Sequence, residues 1–183
     1  MKFILFLAVA LPIAAAEYTI DSAHSAASFS VRHMMVNTVH GQFSKVTGKL
    51  AYDDANLAAS TVKATIQVNT IDTREPKRDA HLRSPDFFDV AKFPVMTFAS
   101  TTVWKEGEIV KVRGNLTLHG VTRPITLDLT KLQATGGTMI NATATGTLSR
   151  REYGLTWNKM IETGGVVVGD EVGLTITMQA ARK

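Results

Sequence analysis

Apolar and polar residues alternate along most of the chain, and this pattern predicts β-strands. In residues 62–68, for example, every second position carries an aliphatic or alanine side chain. Period-two alternation is typical of a strand that buries one face and exposes the other. With the turn residues that separate the runs, the pattern predicts about eight strands, at 25–34, 40–52, 60–70, 95–104, 108–118, 121–133, 139–149 and 171–181.

Short turn signals join these predicted strands. His119-Gly120 is a two-residue link between Leu118 and Val121, which favours a hairpin. Further turns are predicted at Glu106-Gly107 and Gly136-Gly137. Because no helical pattern alternates with the strands, an antiparallel arrangement is favoured over a parallel βαβ sheet.

Residues 74–88 depart from the alternation. They are charged, contain Pro76 and Pro85, and predict a short helical insertion centred on residues 79–83. Long connections on a barrel often cover an open end. A second long connection, 158–170, contains three glycines.

The predicted fold class is all-β, with two architectures to consider. One is a sandwich with a filled core, and the other is a closed antiparallel barrel, which at eight strands is just wide enough for one small ligand. Residues 141–147 form a predicted strand with nothing large on either face. This strand either lines a cavity or lies beside bulky neighbours, and the pattern leaves both options open.

Residues 1–16 differ from the rest of the chain. Lys2 precedes fourteen uncharged residues that end in Ala14-Ala15-Ala16. A positive charge, an apolar run too short to span a bilayer and a small-residue site predict a secretory signal peptide cleaved after Ala16. We therefore expect a mature domain of residues 17–183 in the periplasm, or secreted. No later apolar stretch is long enough for a membrane helix.

The composition of the chain excludes several kinds of functional site. The chain has 183 residues, no cysteine and a formal net charge of +4. The absent cysteines exclude disulfides, thiolate metal sites and a cysteine nucleophile. The mild positive charge is too small for a nucleic-acid-binding surface by itself, so no nucleic-acid partner is predicted. Transient contact with an anionic membrane surface is compatible with the basic residues of segment 74–83.

Catalytic motifs are absent, which leaves one enzymatic hypothesis. The chain contains no G-x-S-x-G, P-loop, G-x-G-x-x-G or H-E-x-x-H motif. Asp21 precedes His24 by three residues and could orient it, with Ser22 or Ser25 as a nucleophile. A hydrolase, or a metal-dependent enzyme, that uses His24 and Asp21 is therefore the alternative to a binding protein. We predict no metal site and no cofactor.

Five motifs, which together cover the mature chain in order, resemble the YceI-like family. They are the opening segment 18–25 with 29–33 and Gly41-Gln42-Phe43, the central segment 84–94 with Thr97-Phe98, the hairpin 114–124, the segment 150–155, and Gly169-Asp170-Glu171-Val172. The one departure is Ala27, at a position that is commonly aliphatic in the first strand of the family.

This resemblance implies a lipocalin-like barrel with an apolar interior that binds a long-chain isoprenoid or another amphiphilic lipid, and no established catalytic residues. Neither the ligand nor the oligomeric state follows from the sequence, and a homodimer is compatible with it. Phe87 and Phe88 are expected to cap the barrel, while Arg32 and His33 are candidates for its polar end. The predicted ligand-binding residues are apolar side chains that recur at every second position of the strands, together with the histidine at position 33. They are Phe29, Val31, His33, Val62, Ile66, Val112, Leu116, Ile125, Leu127, Leu174 and Ile176.

Overall fold

A computed structural model describes residues 15–34, 37–159 and 167–182. This part of the chain contains eleven strands and one α-helix. The strands are β1 (Ala16–Ile20), β2 (Ala26–His33), β3 (Asn37–Phe43), β4 (Val46–Tyr52), β5 (Thr61–Gln67), β6 (Ile71–Asp72), β7 (Val95–Glu106), β8 (Ile109–Leu118), β9 (Val121–Thr135), β10 (Met139–Ser149) and β11 (Val168–Arg182). The helix, α1, is Pro76–Arg83.

Eight strands close into an antiparallel barrel. Their order around the wall is β1-β4-β5-β7-β8-β9-β10-β11, and β11 pairs with β1 to complete the ring. The closing pairs include Tyr18 with Arg182 and Ile20 with Ala180. This confirms the barrel and excludes the sandwich.

β2, β3 and β6 are not part of this ring. They continue strands of the ring beyond short breaks in the chain. β1 and β2 pair in succession with the same long strand, β11, and a 3₁₀ turn at Ser22–His24 separates them. β3 pairs with β2, and β4 pairs with β1, so β3 and β4 also follow one another along the wall. The wall is therefore made of long strands that bend at these breaks.

The predicted strands match the observed ones best from β7 onward, and the N-terminal part needs correction. The predicted strand 40–52 is broken at Ser44-Lys45, and 60–70 ends as a strand at Gln67. β1 was not predicted, because five residues give too short an alternation to be distinguished from the turn that follows. Its inward residues Tyr18 and Ile20 are nonetheless buried.

The predicted helical insertion is confirmed and covers one end of the barrel. Pro76 begins α1, and the Glu75 carboxylate accepts hydrogen bonds from the backbone N–H groups of Lys77 and Arg78. Buried Asp79 fixes the helix to the preceding strand by accepting a bond from the Thr73 backbone N–H at 2.9 Å. Phe87, in the connection after the helix, is buried.

Two bulges keep the apolar residues of long strands facing inward. In β9 the register with β10 shifts between Thr143 and Ala144, so that Leu129 and Leu132 both line the barrel interior although they are three residues apart. In β7 the register with β8 shifts between Ser100 and Thr102, and Val103, beyond this shift, also lines the interior.

Arg150 fastens the chain at the helix-covered end of the barrel. The residue is 4% exposed, and its guanidinium donates to the backbone carbonyls of Gly169 (2.8 Å), Val168 (3.2 Å), Trp157 (2.9 Å) and Leu155. Burial lowers its pKa, because desolvation disfavours the charged form. These bonds join the turn after β10 to the start of β11.

We expect Arg150→Met to lower the free energy of unfolding by about 3 kcal/mol, because the buried carbonyls lose their charged donor. Urea denaturation would measure this loss. Arg151→Met is the matched control, since Arg151 is the exposed neighbour, and it should change stability little. Equal losses of unfolding free energy in the two variants would contradict the stabilising role of the Arg150 hydrogen bonds.

Candidate functional site

The interior of the barrel holds two neighbouring cavities with almost wholly apolar walls. The upper cavity, of about 150 Å³, lies toward the β7–β8 and β9–β10 turns. The lower cavity, of about 140 Å³, lies toward α1 and is closed by Leu82, Phe87 and Phe88. The expected capping role of the two phenylalanines is consistent with this position, although both also line the cavity.

Four side chains line both cavities and separate them. They are Ile66 of β5, Leu116 of β8, and Leu174 and Ile176 of β11, and we call them the waist. Each cavity is about half of the roughly 300 Å³ at which ligand pockets usually begin. A long chain therefore fits only if the waist residues shift and join the two spaces.

Ten of the eleven predicted ligand-binding residues line this interior. Besides the four waist residues, the upper cavity contains Val62, Val112, Ile125 and Leu127, and the lower cavity contains Phe29 and Val31. The exception is His33, which lines neither cavity. It ends β2 opposite Asn37 and Val168, and of these three residues only Val168 lines the lower cavity.

Among the lining residues that the sequence did not single out are three on β7 and two near the end of β4. Met96, Phe98 and Val103 belong to β7, and its bulge between Ser100 and Thr102 breaks the alternation before Val103. Tyr52 and Leu57 lie at and beyond the end of β4, where no strand pattern marks them.

The strand of small residues borders the upper cavity. Ala142 and Ala144 face inward from β10 and line the space. Of the two options left open by the sequence, the cavity-lining one is confirmed. Larger side chains at these positions would fill the interior.

Aromatic rings lie over glycines in the wall. Phe29 pairs across the β2–β3 ladder with Gly41, and a Cβ added to Gly41 would lie 2.4 Å from Phe29 Cζ. In the same way, a Cβ on Gly114 would lie 2.4 Å from Phe98 Cζ. The missing side chains let both rings lie against the wall, which leaves the middle of the barrel open.

A small aromatic cluster borders the closed end. The His81 ring contacts Phe87 and Trp157 edge-on, with ring centroids 5.0 Å apart in each pair. His81 Nε2 is also 2.9 Å from Asp86 Oδ2. These contacts join the helix, the connection after it and the segment that follows β10.

The Asp21–His24 pair forms as expected but lies outside the barrel. His24 Nδ1 is 2.7 Å from Asp21 Oδ2, with side chains that are 65% and 40% exposed. The contact lowers the pKa of Asp21, because the histidine favours the ionised carboxylate. Ser25 is buried, and its hydroxyl is bonded to the backbone of Gln179. The three residues therefore stabilise the break between β1 and β2.

No group of three or more metal-ligating side chains is found in residues 15–34, 37–159 and 167–182. In the same described ranges, no helix has the length and apolarity needed to cross a bilayer.

Comparison with known proteins identifies the family. The YceI-like domain matches residues 18–180. The chain belongs to the YceI-like family. Protein YceI of Salmonella newport is 40% identical over 149 residues, which cover 78% of each chain. A UPF0312 protein of Enterobacter sp. (strain 638) is 39% identical over 148 residues, or 78% of this chain and 77% of its own.

Solved structures share the fold of this YceI-like domain. Burkholderia cenocepacia BcnA superposes with a TM-score of 0.79 at 23% identity and covers 88% of this chain and 99% of its own. A polyisoprenoid binding domain from Saccharophagus degradans, implicated in plant cell wall breakdown, gives 0.71 at 17% identity, with 92% and 99% covered. The Campylobacter jejuni YceI protein gives 0.69 at 26% identity, with 83% and 90% covered.

We expect Gly41→Ala to destabilise the domain by about 1–3 kcal/mol, because the added methyl group forces the Phe29 ring inward. The obstructing atoms, Phe29 Cζ and Cε1 and Thr73 Cγ2, all belong to side chains. The double variant Gly41→Ala/Phe29→Leu should therefore lose less stability than the sum of the single variants. Additive losses of stability, measured by thermal unfolding, would show that the position of the Phe29 ring does not depend on Gly41.

Proposed function

We propose that this YceI-like domain is a periplasmic carrier that holds a long-chain isoprenoid, or another amphiphilic lipid, inside the barrel. The observation that carries the proposal is an apolar interior whose two cavities share the waist side chains as a common wall. The name of the Saccharophagus degradans neighbour, a polyisoprenoid binding domain, supports this ligand class.

Burial of the tail supplies the affinity. Apolar surface removed from water contributes roughly 25 cal/mol per Å². Enclosing about 400 Å² of an isoprenoid tail would therefore contribute on the order of 10 kcal/mol before the costs of ordering. Because the lining is aliphatic and aromatic, the tail needs no polar partner inside.

The waist provides the adaptation that a long ligand needs. Ile66, Leu116, Leu174 and Ile176 meet between the cavities without polar contacts that would fix their rotamers. Met96 and Met178 line the lower and upper cavities, and methionine adapts readily to irregular spaces. A bound chain would push these side chains aside and join the two spaces.

A binding role is favoured over the hydrolase alternative. The Asp21–His24 pair is solvent-exposed, and the Ser25 hydroxyl is bonded to the Gln179 backbone rather than to the histidine. The name of the Saccharophagus degradans neighbour, a polyisoprenoid binding domain, also supports ligand binding. We propose that the chain is not an enzyme.

Export through the N-terminal segment completes the proposal. Residues 1–14 lie outside the described residues. The support for export is therefore the sequence pattern of residues 1–16. β1 begins at Ala16, which pairs with Tyr52. Cleavage after Ala16 would leave Glu17–Ile20 of this strand in the ladders with β4 and β11.

Ala144→Phe should abolish lipid binding, because its ring would occupy the upper cavity. Thr143→Phe is the matched control, because it places the same ring on the opposite face of β10. Protein purified from its native periplasm would be analysed by native mass spectrometry. Wild type and Thr143→Phe should retain an isoprenoid-sized adduct, and Ala144→Phe should show only the protein mass.

Two further variants keep this experiment informative if Ala144→Phe is unstable. Leu174→Ala removes a waist side chain and should allow uptake of a longer chain than wild type accepts. His24→Ala should bind as wild type does. An apo mass for wild type, with no uptake of added isoprenoids, would contradict the proposed function, as would loss of an enzymatic activity in a folded His24→Ala protein.

Expression of the full chain in a bacterium should yield periplasmic protein that begins at Glu17. Cell fractionation with N-terminal sequencing would measure this. Ala14→Glu/Ala16→Glu should block processing, because signal peptidase requires small residues there. Unprocessed wild-type protein in the cytoplasm would contradict the export proposal.

A further inference from the structure

The barrel wall is split between β9 and β10. Their ladder ends at Thr145 and Asp128, although β9 stays paired with β8 as far as Val121 and β10 stays paired with β11 as far as Ser149. We call this split the seam. Pro124 lies along the β9 side of the seam, and a proline has no N–H to donate to a neighbouring strand.

A polar groove of about 830 Å³ covers the seam on the outside of the barrel. The outward side chains of both strands line it with hydroxyl groups, from Thr126 on β9 and from Thr147 and Ser149 on β10. Its composition is the reverse of the interior, where the walls are apolar.

Two apolar side chains connect the groove with the interior. Ile125 lines the groove and the upper cavity, and Leu148 lines the groove and the lower cavity. Continuing the register of Thr145 with Asp128 by three residues places Leu148 opposite Ile125 across the seam. This pair of side chains therefore lies between the groove and both cavities.

Tyr153 is a largely buried residue that lines the groove, and its hydroxyl has no partner within the described part of the chain. The residue is 2% exposed and lines the groove. Its hydroxyl has no hydrogen-bond partner among the described residues, although every fully buried side-chain nitrogen or oxygen among them has one. The hydroxyl is therefore not fully enclosed by the protein, and a phenol hydroxyl can donate to a ligand or accept from one.

The charge of the groove disfavours an anion. Lys111 is its only lining cation among the described residues and already contacts Asp128 at 3.0 Å and Glu106 at 3.2 Å. Asp170 accepts from the Ser149 hydroxyl at 2.8 Å, while Glu152 and Glu171 have no ion pair within the described part of the chain. Arg123 lies near Tyr153 and offsets part of this negative charge.

We propose that the seam admits the polar end of a lipid whose tail lies in the barrel, and that the outer groove binds an uncharged, hydrogen-bonding head group rather than a phosphate. This rests on the proposed function, because it requires a tail in the interior. The head group leaves between Ile125 and Leu148 and meets the Tyr153 hydroxyl.

Three C20 probes with the same branched skeleton separate the head group from the tail: phytane, phytol and phytyl phosphate. Dissociation constants would be measured by displacement of the uncharged dye N-phenyl-1-naphthylamine from the mature domain. We expect phytol to bind about fivefold more tightly than phytane, which is the effect of one added hydrogen bond. Phytyl phosphate should bind more weakly than phytol.

Substitutions in the groove should act on the head group alone. Tyr153→Phe should lower the affinity for phytol about fivefold and leave that for phytane unchanged. Glu152→Gln/Glu171→Gln should tighten the binding of phytyl phosphate severalfold, because it removes two like charges. Glu108→Gln is the matched control, since its carboxylate is 96% exposed at the β7–β8 turn, and it should change none of the affinities.

The outcomes separate this inference from the proposed function. If phytane fails to displace the dye, the barrel does not hold an isoprenoid tail and the proposed function itself is contradicted. If phytane binds but phytol binds no more tightly, or phytyl phosphate binds best, the groove assignment is overturned. Equal weakening of phytane and phytol by Tyr153→Phe would show that the tyrosine acts only in packing.

Discussion

Closure of the barrel by the pairing of β1 with β11 is the constraint on which the other features depend. The closing strand has only five residues, and Tyr18 and Ile20 direct their side chains inward from it. With the ring closed, the apolar interior is shielded from water, and an apolar cavity offers a water molecule no partners. Two small cavities with apolar walls can therefore persist in the middle of the domain.

The sequence predicted the β-class, the segment 139–149 as a strand, and ten of the apolar side chains that line the interior. These features follow from period-two alternation, which is a local property of the chain. Three features could not be predicted in this way. β1 is too short to give a pattern, the bulge in β7 breaks the alternation before Val103, and the seam depends on where the β9–β10 ladder ends in three dimensions.

Small residues create the interior as much as large ones do. Ala142 and Ala144 leave space on β10, and Gly41 and Gly114 let neighbouring rings lie against the wall. The small residues of 141–147 are visible in the sequence, but the contact of Phe29 with Gly41 is not, because it requires the strand register. The interior and the outer groove share a wall at β9 and β10, so one pair of strands presents an apolar face inward and a polar face outward.

Pro124 has a consequence for the behaviour of the protein in concentrated solution. A gap in a sheet exposes strand edges, and exposed edges are templates on which a second chain can add a strand and begin to aggregate. A proline at this edge removes one of the donors that an incoming strand would need, and the two-residue turn at His119-Gly120 keeps the free segment of β9 short. Pro124 thus disfavours strand addition at the place where the β9–β10 ladder stops.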